Sequence, residues 1–125
     1  MVLAPADLRH EEARAAYEAQ QAREREEELR EALPAAERYV DGILQKKAHL
    51  DRILVRLGNW YAYNDNHHYK HNQYAAVRDH IVAKYRAAGW HIYEGSDRYS
   101  NHALLFSPKP VTWWQRFASG DFYQD

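Results

Sequence analysis

The chain contains no cysteine, which rules out a disulfide framework and any thiolate metal site. Its five glycines are isolated from one another, so neither a phosphate loop nor a dinucleotide fingerprint is present. No serine sits in a nucleophile-elbow context, and no pair of carboxylates has a recognisable catalytic spacing. Long apolar runs are missing, and the first residues lack the apolar stretch of a secretory signal. A strong charge of one sign is also missing. The formal net charge is −1, less basic than a dedicated nucleic-acid binder usually carries. These absences point to a non-membrane protein, cytoplasmic or held within a larger particle, with no cofactor and no enzymatic activity.

What is present is divided unevenly. Residues 1–33 carry five Arg and nine Asp/Glu, a net of −4. Residues 34–63 carry five basic and three acidic side chains, a net of +2. Residues 64–125 carry seven basic and six acidic ones, a net of +1, with six His besides. Aromatic residues are concentrated late: fifteen of the seventeen lie from Trp60 onward. The chain therefore reads as a charged helical arm over 1–33 and a compact helix-and-hairpin body over 34–125. At 125 residues there is room for one domain and an appendage.

The arm is built of strong helix formers, with Pro5 suited to a first helical position and Asp7, Glu11 and Glu12 placed for the dipole. Over Ala6 to Leu33 such a helix is about 42 Å long. Its apolar seam is thin: Leu8, Ala15, Ala19, Ala22, Leu29 and Leu33. A helix with so little to bury gains stability from a partner, so the seam predicts coiled-coil-like self-association or docking. Pro34 lacks a donor and restricts the residue before it, which predicts a break or kink there. A second helix is then expected over Ala36–Tyr61, because Ala36, Ile43, Leu50 and Leu57 recur every seven residues beside Tyr39, Ile53, Trp60, Val40 and Leu54. A third helix is expected to begin near Asp65 or Asn72 and to end at Ala88, with Gly89 as its C-cap. Trp90–Glu94 and His102–Phe106 flank a polar loop and predict a β-hairpin. After Pro108 and Pro110, Thr112 is placed to cap a short helix. The fold class is α+β and mostly helical. Ile43, Leu50, Ile53, Leu54, Leu57, Val77, Ile81, Leu104 and Phe106 are the expected core.

Three constellations bear on function. The ends of the chain seek partners: Leu8, Leu29 and Leu33 on the arm, and Trp113, Trp114, Phe117, Phe122 and Tyr123 after the prolines. Basic and aromatic residues form a second set, Lys70, Tyr74, Arg78, Lys84, Arg86, Trp90, Tyr93, Arg98 and Tyr99. Within it Arg78, Tyr93, Arg98 and Tyr99 define a hairpin able to stack a base and meet a phosphate. His67 and His71 are four apart, the spacing of a helical zinc pair, but the glutamate of a zincin motif is not there. The first set carries the expectation: a non-enzymatic assembly, adaptor or structural protein that oligomerises or joins a hetero-complex. A nucleic-acid or nucleotide-binding module is the alternative, and a metal-dependent enzyme at the histidines is third.

Overall fold

The computed structural model describes residues 2–63, 69–117 and 122–124. A single turn of 3-10 helix, Pro5–Leu8, leads into α1, His10–Lys46, which runs for 37 residues, about 55 Å at the standard rise. Pro34 lies inside α1 and does not end it, contrary to the expected break. The reason lies in which side it faces. Pro34 and Arg30 are on the exposed side, where water can satisfy the Arg30 carbonyl that proline leaves without a donor. On the opposite side Ala32, Ala35, Ala36, Val40 and Leu44 are buried and carry the helix through that point.

The second expected helix is replaced by three shorter pieces. α1 stops at Lys46, with the Lys47 N–H donating to the Ile43 carbonyl. A turn carries Leu50 to the surface, where it is 41% exposed rather than in the core. The seven-residue repeat was thus interrupted after Ile43. Ile53–Val55 then form β1, and Leu57–Tyr63 form α2. A β-branched run flanked by a turn can satisfy its backbone on a sheet as well as in a helix, and here the sheet wins.

α3 spans Tyr74–Ala87, and Gly89 follows it at φ +111, as a C-cap glycine should. The hairpin forms as expected, with β2 at His91–Ser96 and β3 at His102–Ser107. A short α4, Trp113–Phe117, and a two-residue β4, Tyr123–Gln124, complete the chain. The sheet has the order β1-β3-β2-β4 and is antiparallel throughout. β1 and β4 are what rescue the hairpin from standing alone.

Side chains alternate across the sheet, so each face has its own core. Ile53, Val55, Ile92, Leu104 and Phe106 meet α1 and α3, where Val40, Leu44, Val77 and Ile81 are buried. Leu57 is buried with them, while Ile43 and Leu54 are half-buried. Ala103 and Leu105 point the other way and are covered by the C-terminal segment through Val111 and Phe122. Gly95 makes that cover fit: a Cβ there would collide with the Tyr123 carbonyl and sit 2.8 Å from the Phe122 ring.

Candidate functional site

Among the described residues, three places bear on the expected binding sites. The first is the leading part of α1. Every residue from His10 to Gln20 is exposed, so this part projects from the body. Leu8 and Tyr17 lie open, whereas Leu29 and Leu33 pack against the body's own core. From Gln21 onward the helix is held by specific polar contacts. The Glu28 carboxylate accepts from the Lys70 N–H at 2.8 Å and the His71 N–H at 3.1 Å. Glu24 lies 3.5 Å from His71 Nε2, and that hydrogen bond holds its carboxyl below the usual value. Further along, Glu37 lies between His80 and Lys84 of α3. The Tyr85 hydroxyl donates to Asp41 at 2.5 Å; burial, then this bond, push its phenol upward. The second half of α1 is therefore clamped, and the first half is not.

The second place is the C-terminal aromatic segment. Trp113 and Trp114 are 57% and 64% exposed, with rings stacked at 4.2 Å between centroids. Thr112 and Gln115 cap α4 reciprocally, which fixes this pair at the helix start. Tyr123 is exposed on β4, but Phe122 is 1% exposed and closes the outer core. The side chain of Phe117 lies outside the described residues.

The third place is a cleft of about 460 Å³ between α3 and β2. Tyr74, Arg78 and Arg86 reach it from the helix, and Glu94 and His102 from the sheet; Tyr93 borders it from β2 with its side chain on the other face, beside Leu105. The spacing of four, then eight, along α3 brings the three helical side chains to one side. Arg78 pairs with Glu94 at 3.2 Å and with Asp79 at 3.1 Å. The Tyr74 ring lies tilted against His102, 5.4 Å between centroids, and desolvation pushes its phenol up to about 12.

The basic-aromatic set is thus split. Tyr74, Arg78 and Arg86 share the cleft, with Tyr93 at its border, whereas Arg98 and Tyr99 are in the loop joining β2 to β3. Arg98 covers the Tyr99 ring at 4.9 Å. Tyr93 is engaged too: Arg116 lies 4.6 Å over its ring, and its hydroxyl accepts from the Val111 N–H. The hairpin loop is shaped by Asp97, which is buried and accepts from the N–H groups of Tyr99 and Asn101. Arg56 stands 3.6 Å from the same carboxylate. Nothing in the sequence distinguished this aspartate beyond its place in a polar loop. His102 was missed for the same reason: it reads as the first residue of a strand.

His67 lies outside the described residues. His71, its proposed zinc partner, is turned toward Glu24. Among the described residues no group of three or more His, Asp or Glu is arranged to hold a metal ion. No described helix is long and apolar enough to cross a membrane. Comparison with family models, curated proteins and solved structures finds no match to this chain.

Proposed function

We propose that this chain is a non-enzymatic assembly or adaptor protein that associates with itself, or with a macromolecular partner, through the projecting part of α1 and the exposed C-terminal aromatics. One observation carries the proposal: α1 continues for eleven residues, His10 to Gln20, with every one of them exposed. Isolated helices of that length are marginal in water, so a helix extended past its own body is best explained by something that packs on it. Ala15, Ala19 and Ala22 supply a narrow seam whose small side chains admit a second helix at close range, and Leu8 adds an exposed apolar side chain in the 3-10 turn just before α1. The Trp113–Trp114 pair supplies a second apolar contact, of the residue type that anchors interfaces.

The hairpin alternative draws less support from the geometry. Its two tyrosine rings each carry an arginine of the same chain, which occupies the face a base would stack on. Light scattering on the full chain at tens of micromolar tests the preferred reading. A dimer or larger species is expected, reduced to monomer by Ala15→Glu with Ala19→Glu. A monomeric wild-type chain that recruits no further mass from its host extract contradicts it.

A further inference from the structure

The cleft between α3 and β2 plays no part in the proposed docking surfaces, yet its polar groups are not all accounted for. Its volume of about 460 Å³ falls in the range of small-molecule sites. Arg78 is neutralised there by Glu94 and Asp79. Arg86 is not. Its Nη2 donates to the Ile92 carbonyl at 2.6 Å, and no carboxylate pairs with it among the described residues. That single bond aims the guanidinium and leaves most of its donors unspent. Toward the other end, the Tyr74 hydroxyl is buried without a hydrogen-bond partner. Buried hydroxyls are seldom left so, and each such case calls for an explanation. With its phenol raised to about 12, Tyr74 is a donor at neutral pH and not an acceptor-only phenolate.

The separation of these two groups sets the length of what would join them. Arg86 is tied to Ile92; the Tyr74 ring lies against His102, which pairs with Ser96. Ile92 and Ser96 are four residues apart on β2, about 13 Å at the strand rise. A molecule that joins the two groups is therefore elongated. Between the two ends lies the Arg78–Glu94 pair, with Ile92 and Leu104 buried beneath it.

We propose that the cleft binds a small elongated organic oxyanion, a phosphate monoester or a carboxylate, with its charged group on Arg86 and an acceptor at its far end on Tyr74. The site is separate from the hairpin tip and stands whether or not α1 mediates assembly. Calorimetry on the full chain tests it with four probes: adenosine 5′-monophosphate, adenosine 5′-carboxylic acid, adenosine and inorganic phosphate. The first two differ in the oxyanion, a carboxylate at C5′ itself against a phosphate one ester oxygen further out, so they separate the two sources of charge. At least one of them is expected to bind about tenfold more tightly than adenosine or phosphate, a difference of about 1.4 kcal/mol. Arg86→Gln should erase that advantage over adenosine. Tyr74→Phe should weaken binding about threefold to tenfold, the loss of one hydrogen bond. Arg98→Gln should change nothing. Amide shifts on the wild-type chain should centre on Ile92 and Glu94, which keeps the test independent of how the variants fold. Binding by none of the probes at millimolar concentration, equal binding in Arg86→Gln, or shifts centred on Arg98 and Tyr99 would each overturn the proposal.

Discussion

Replacing Phe122 with alanine probes whether the C-terminal segment is part of the fold. Phe122 is 1% exposed and packs where Gly95 leaves space for its ring. A phenylalanine that buries about 150–250 Å² contributes about 4–6 kcal/mol at 25 cal/mol per Å², an upper bound. Phenylalanine-to-alanine truncations in cores cost about 3–5 kcal/mol. β4 is tethered by only two strand pairs, so the segment can peel away locally and the loss should fall near 3 kcal/mol. Tyr123→Ala, one residue on and exposed, should cost less than about 1 kcal/mol. Gly95→Ala pushes a methyl into the same contact, so the two changes should combine non-additively. Urea unfolding followed by near-ultraviolet circular dichroism reads all of these as shifts in midpoint. A loss below about 1 kcal/mol for Phe122→Ala, or full additivity with Gly95→Ala, would refute the idea that this ring closes the outer face of the sheet.

Four further outcomes follow from particular contacts. Pro34→Ala should stabilise the chain, by as much as about 3 kcal/mol, since the proline sits within an otherwise continuous helix and on its solvent side; a raised melting temperature confirms it and a lowered one refutes it. Asp97→Ala should cost about 2–3 kcal/mol because it strands two loop N–H groups and removes the carboxylate facing Arg56, with Asp97→Asn costing less; equal losses in urea titrations would mean the carboxylate charge, not its acceptor geometry, shapes the loop. At high pH the raised phenols of Tyr74 and Tyr85 contribute stability that is intact below the ordinary tyrosine value of 10.0 and is lost as pH climbs through the folded value, about 12 for Tyr74. Their phenolate absorbance should therefore rise together with alkaline unfolding; early, independent titration of all ten tyrosines would contradict their burial. At low pH the sign reverses for Glu24. Its depressed carboxyl supports the fold above its ordinary value near 4.5 and ceases to as pH falls through the folded value, so Glu24→Gln should flatten the acid limb.

Much of this architecture was legible because local patterns agreed with tertiary packing. α3 ended where Gly89 marks it, and β2 and β3 formed where branched and aromatic residues flank a polar loop. The failures share a cause: a local signal was outweighed by packing remote in sequence. Pro34 carries a genuine helix-breaking preference, but Ala32, Ala36 and Val40 bury the opposite face of α1. Ile53 and Leu54 fit a heptad as well as a strand, and only the pairing of Ile53 with Phe106 and Leu54 with Leu105, more than fifty residues away, decides between them. The cleft was half visible. Tyr74, Arg78 and Arg86 share one helix and so one side, a placement periodicity gives directly. His102 reaches them from a different strand, and Arg98 was separated from them by the length of the hairpin; spacing along the chain carries neither fact.

The central claim is that the leading part of α1 is covered by another helix in solution. Because the chain has no cysteine, a single Ala19→Cys change places one spin label on the seam without any competing thiol. Dipolar spectroscopy between copies should then detect a second label within about 20 Å, as expected for helices whose axes pack 8–10 Å apart. The same label at Lys109, on the far loop after β3, should show a longer separation or none. Absence of any coupling between copies at residue 19, in a sample whose mass is that of a monomer, would contradict self-association through α1.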